Sequence, residues 1–107
     1  MKVNEQTALR EYTQALRGRF SLHIDRLMLF GSQARGDARD GSDVDILVVV
    51  DNNERRLKNE ITDLAFDFMM KHGIDIEPVI FSRDEWARMS AAPTSFAYTI
   101  GQEGRDL

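Results

Sequence analysis

Phe30-Gly31-Ser32-Gln33-Ala34-Arg35-Gly36-Asp37-Ala38-Arg39-Asp40-Gly41-Ser42-Asp43-Val44-Asp45 joins two apolar runs, Leu27–Phe30 and Ile46–Val50. Each run reads as a strand, so Gly31-Ser32 sits where a strand hands over to a helical turn. Ten residues separate Ser32 from Asp43. Asp43 and Asp45 stand two apart at the mouth of the second strand, so their carboxylates project from one face. That spacing lets both reach one cluster of divalent cations. A Gly-Ser turn offers backbone N–H groups and a hydroxyl to phosphate oxygens. The stretch therefore predicts a place for a nucleoside triphosphate together with Mg²⁺.

Composition bounds what surrounds this stretch. The 107 residues predict a single domain, 1–107, with a modest core, and 42% apolar content suits a globular chain. No 18-residue apolar stretch is present, which argues against a membrane span. Met1–Gln6 lacks the apolar core of a secretion signal. With no cysteine there are neither disulfides nor thiolate metal sites, and a cytoplasmic location is expected. The net charge of −4 counts against direct nucleic-acid binding, which favours basic surfaces. It leaves room for a protein partner with a basic face.

Working outward, Ala8, Leu9, Tyr12, Ala15, Leu16 and Phe20 recur at helical spacing and predict an amphipathic helix over 3–20. A strand is expected over 24–30, a short helix over 32–36 and a loop over 37–42. The near-continuous apolar run 44–50 predicts a strand buried on both faces, and so a central sheet position. Asp51-Asn52-Asn53 is expected to cap a helix from about 54 to 72, with Leu57, Ile61, Leu64 and Phe68 inward and Gly73 as its C-cap. A strand follows over 74–81. Ser82 is read as the N-cap of a helix over 83–89, and a helical piece runs from Pro93 to Ile100. Gly101–Leu107 reads as a polar tail.

Other chemistry-bearing residues read as structural. Asp37, Asp40 and Asp51 suit loop or cap positions. His23 and His72 lack the neighbours a metal site needs. Trp86 suits packing of the short helix more than stacking on a base. Phe66 and Met70 fall off the main stripe of their helix, where they suit a second packing face or a partner surface.

Gly31-Ser32, ten residues, then Asp43-Val44-Asp45 resembles the signature of the DNA polymerase β-like nucleotidyltransferase superfamily. The short length and the wording Gly31-Ser32-Gln33-Ala34-Arg35-Gly36-Asp37 are similar to its minimal nucleotidyltransferases, the MNT domains. The stretch from Ile76-Glu77-Pro78-Val79 through Ser82-Arg83-Asp84-Glu85-Trp86 to Glu103-Gly104 extends the likeness. The resemblance implies an α/β (α+β) fold, a mixed β-sheet flanked by helices. It implies two Mg²⁺ ions with ATP as substrate. Asp43 and Asp45 would be shared metal ligands and catalytic residues, while Gly31, Ser32 and Arg35 would bind the nucleotide. The superfamily asks for a third carboxylate on a neighbouring strand, and both Asp75 and Glu77 qualify. Alignment of the following Val79-Ile80-Phe81-Ser82 favours Glu77 as metal ligand and catalytic residue, although many relatives carry aspartate there.

Stand-alone MNT proteins commonly pair with small helical HEPN proteins in toxin–antitoxin systems. The resemblance thus implies an antitoxin that transfers AMP from ATP to a tyrosine hydroxyl of a HEPN toxin, within a hetero-oligomer. Two alternatives stand beside it. A non-catalytic module neutralising its partner by occlusion would need no ATP and would survive loss of the aspartates. A small-molecule nucleotidyltransferase would be expected to carry an acceptor domain, which this sequence does not show.

Overall fold

The computed structural model describes residues 1–39 and 43–107. Within the loop expected over 37–42, Asp40, Gly41 and Ser42 lie outside the described residues. The chain runs α1 (Val3–Arg19), β1 (Ile24–Phe30), α2 (Gly31–Arg35), β2 (Val44–Val50), α3 (Arg55–His72), β3 (Ile76–Ser82), α4 (Arg83–Ser90), α5 (Phe96–Glu103) and β4 (Arg105–Asp106). The four strands form one mixed sheet in the order β3-β2-β1-β4. β2 lies antiparallel to β1 and parallel to β3. Parallel neighbours need a long crossover, and α3 supplies it.

β2 is central, as its apolar run predicts. Ile46, Leu47, Val48, Val49 and Val50 are all 2% exposed or less. Burial of each such side chain contributes about 1.5–3 kcal/mol, so this strand anchors the molecule. Alternation divides its residues between two layers. Val44, Ile46, Val48 and Val50 face α1 and α3, meeting Tyr12, Leu16, Leu57 and Ile61. Leu47 and Val49 face the other way, with Met28, Phe30 and Ile100. The first layer is clasped by a buried hydrogen bond: the Tyr12 hydroxyl donates to the Ile61 carbonyl at 3.0 Å.

Local chemistry ends the elements where it should. Gly73 caps α3 at φ +68°. Ser82 and Glu85 form a reciprocal capping box that turns β3 straight into α4. Trp86 packs against Phe81 at 6.0 Å between ring centroids, a core role. His23 lies 3.0 Å from an Asp51 carboxylate oxygen, and His72 stacks on Phe68, both outside any metal-ligand group found among the described residues. Phe66 and Met70 remain exposed.

Three expectations need correction. The N-cap of α3 is Glu54, whose N–H donates to the Asn52 side-chain carbonyl, so 51–53 supports the cap without being it. β3 begins at Ile76 because Ile74 and Asp75 lead in without a full ladder, although the Val44 N–H already donates to the Asp75 carbonyl. The expected polar tail is structured. α5 continues to Glu103, and β4 pairs with Met28 and Leu29. The exposed edge of β1 offers unpaired backbone groups that the last residues satisfy.

Candidate active site

Asp45 and Glu77 are direct partners in the parallel β2–β3 ladder. Asp43 and Asp75 stand two residues before each of them. Period-two alternation therefore puts all four carboxylates on one face, at the entry end of two adjacent strands. It is the face that carries Leu47 and Val49, not the α1–α3 face. Carboxylate oxygens of Asp43, Asp75 and Glu77 lie within 4.8 Å of one another. The structure thus brings both candidates for the third carboxylate beside Asp43. Asp45 stands outside that trio, its carboxylate turned against Gly31.

Crowding shows in the protonation of these groups. Burial, a hydrogen bond with Asp75 and the Asp75 charge hold the Asp43 carboxyl above its ordinary value. Two carboxyls in hydrogen-bonding contact need a proton between them, so in the absence of a cation this pair repels when fully ionised. Burial, then the charge of Asp43, raises Asp45, while Arg35 acts against the shift. The donors are all hard carboxylate oxygens, the ligands Mg²⁺ takes, and a divalent cation would relieve their repulsion. The residues present fit such an ion.

Gly31 opens α2 directly after β1 and adopts φ +72°, in the left-handed region that glycine tolerates. Any Cβ there would collide with the Asp45 carboxylate. Removing that side chain is what lets the turn approach the acidic row. Ser32 follows, and Gly36, at φ +83°, closes α2. Gly31, Ser32, Arg35 and Asp45 line a cavity of about 420 Å³, whose far wall is α5. The Arg35 guanidinium is engaged there, 3.1 Å from Glu103 and 3.3 Å from Asp37.

Sequence reasoning missed the α5 wall. Phe96, Thr99 and Glu103 all line the cavity. Their spacing of three and four residues was a readable signal, since Ala97 and Ile100 mark the adjoining buried face. What sequence did not show is that this stripe lies opposite Gly31.

A mixed sheet carrying an acidic row beside a Gly-Ser turn is the architecture of nucleotidyltransferases. Residues 9–86 match the family described as Nucleotidyltransferase domain, and the chain belongs to it; it is a nucleotidyltransferase. The chain is 32% identical over 105 residues to "Putative protein adenylyltransferase MJ0604" of Methanocaldococcus jannaschii, covering 98% of this chain and 99% of that protein. Among solved structures, a "putative minimal nucleotidyltransferase" superposes with TM-score 0.64 at 26% identity, over 100% of this chain and 97% of the other. The crystal structure of a mutant MntA–HpeT toxin–antitoxin pair also gives TM-score 0.64, at 21% identity, over 92% of this chain and 69% of its counterpart. That last likeness is one of fold.

Proposed function

We propose that this nucleotidyltransferase is a Mg²⁺-dependent protein adenylyltransferase of the cytoplasm, an antitoxin that moves AMP from ATP to a tyrosine hydroxyl of a HEPN toxin. The observation that carries the reading is a cavity of about 420 Å³ lined by the Gly31-Ser32 turn, Arg35 and Asp45, with the Asp43, Asp75 and Glu77 carboxylates grouped on the same face of the sheet. That volume falls within the roughly 300–1,000 Å³ usual for small-molecule sites. Protein as acceptor is supported by the name of the Methanocaldococcus relative, and a toxin as partner by the fold shared with the toxin–antitoxin pair.

In this reading Gly31 and Ser32 hold the β- and γ-phosphates through backbone N–H groups and a hydroxyl. Arg35 exchanges Glu103 and Asp37 for a phosphate, a charge-assisted fork in both states. Asp43, Asp45 and Glu77 hold the metal, with Asp75 adjoining. When bound, Mg²⁺ would screen the phosphate charge and favour in-line displacement. The acceptor oxygen bonds to the α-phosphorus as the bond to the bridging oxygen breaks, and pyrophosphate leaves with that oxygen. The hydroxyl proton passes to a carboxylate, which in this reading is the exposed Glu77.

The test is intact-mass spectrometry of the candidate toxin after incubation with this chain, ATP and Mg²⁺. The toxin is expected to gain mass in whole AMP units. The double variant Asp43→Asn/Asp45→Asn should give no gain while remaining folded. Full transfer by that variant would overturn the metal assignment. No mass gain by the wild type, with tight co-elution of the two proteins, would replace catalysis with occlusion.

A further inference from the structure

The stripe of α5 that faces the cavity includes one residue with no structural debt. Glu103 is engaged with Arg35, and the Thr99 hydroxyl donates to the Ser95 carbonyl within its own helix. Phe96 is 58% exposed. The ring is not loose. It makes a T-shaped contact with Phe30, with centroids 5.9 Å apart and planes at 77°. Phe30 immediately precedes Gly31, so the ring is registered against the Gly-Ser turn itself.

The cavity accordingly has a mixed lining. Its lining carries Ser32, Arg35, Asp45, Thr99 and Glu103 as polar groups and Phe30, Val79, Phe96 and Ile100 as apolar ones. A nucleoside triphosphate asks for both characters, a charged chain at one end and a flat aromatic base at the other. We propose that Phe96 is the platform on which the base of the donor nucleotide stacks, making it a specificity-determining residue of this site. The inference rests on the nucleotidyl-transfer reading above. Stacking favours the larger surface of a purine over a pyrimidine, which agrees with an adenine nucleotide as donor. The other exposed large apolar side chains among the described residues, Met1, Val3, Leu22, Phe66, Met70 and Met89, lie elsewhere and do not line this cavity. Among the described residues, Phe96 alone of these exposed apolar side chains lines the cavity with Asp45.

Calorimetric titration of the full chain with Mg²⁺-ATP and, separately, with Mg²⁺-tripolyphosphate separates the base from the phosphates. Wild type is expected to bind ATP more tightly than tripolyphosphate. Phe96→Ala should weaken ATP by about tenfold, the order of one base–aromatic stack, and leave tripolyphosphate unchanged. Phe96→Leu keeps an apolar contact for Phe30, so it guards against misfolding, and it should lose ATP affinity in the same way. Phe96→Trp should restore it. ATP binding unchanged in both the alanine and leucine variants would overturn the platform while leaving the phosphate site standing. So would equal weakening of ATP and tripolyphosphate. Wild type that binds neither ligand would overturn the reading of the whole site, and the platform with it.

Discussion

Gly31 holds φ +72°, and a Cβ on it would run into the Asp45 carboxylate. Gly36, at φ +83°, has open space around the same position. The two glycines separate backbone strain from collision. Gly36→Ala should cost about 1–2 kcal/mol, the left-handed penalty alone. Gly31→Ala should cost more in urea denaturation, because Asp45 must also shift, and it should weaken nucleotide binding. Equal costs at the two positions would mean that Asp45 is free to swing away. At this scale much was legible. Period two alone placed Asp43 and Asp45 on one face, and Asp75 and Glu77 on one face. It did not rank Asp75 against Glu77, because alternation treats residues two apart alike. The fold brings both to Asp43.

Between β3 and α4 there is no loop, so the junction depends on one cap. The Glu85 N–H donates to Ser82 Oγ at 3.2 Å, and the Ser82 N–H donates to Glu85 at 2.9 Å. Ser82→Ala should lower stability by about 1 kcal/mol, read as a fall in melting temperature. The backbone hydrogen bond from Ser82 holds the Glu85 carboxyl below its ordinary value. A depressed carboxylate contributes stability above its unfolded pKa and loses it as pH falls through the folded one. Glu85→Gln should therefore flatten part of the acid limb of the stability profile. The cap was readable from Ser82-Arg83-Asp84-Glu85, since its partners are three residues apart. β4 was not. Two residues carry no hydrophobic pattern, and only the unpaired edge of β1 calls Arg105 and Asp106 into the sheet.

Across the molecule, the acidic row sets a conflict between stability and function. Asp43 and Asp45 are both raised, chiefly by burial and then by their acidic neighbours. A raised carboxyl gives the opposite sign to Glu85: its contribution is present below the unfolded pKa and lost as pH rises through the folded one. Metal-free protein should thus lose this contribution on the neutral side of the carboxylate range. Asp43→Asn should remove part of that loss and melt at a higher temperature than wild type without metal. Mg²⁺ should reverse the order. At a hundredfold excess over its dissociation constant it would stabilise wild type by about 2.7 kcal/mol and leave the double variant Asp43→Asn/Asp45→Asn unaffected. Mg²⁺ affinity should fall as pH drops through the raised values, since proton and cation compete for the same oxygens. Melting curves with and without Mg²⁺ across the acid range check each sign. A wild type indifferent to Mg²⁺ would count against the row as a metal site.

What the sequence by itself determined is everything that depends on neighbours in the chain: the central strand, the helix stripes, the Gly-Ser turn, the Ser82 cap and the shared face of each acidic pair. These follow from periodicities of two and 3.6 residues and from local backbone chemistry. Tertiary structure alone decided which distant groups meet. Asp45 stands level with Glu77 only because β2 and β3 run parallel in that register. Arg35 meets Glu103, 68 residues later, only because α5 packs on the same face of the sheet. Phe96 comes to share a cavity with Asp45 for the same reason. Strand register and helix docking are set by burial summed over the whole core, a quantity that no local window of sequence contains.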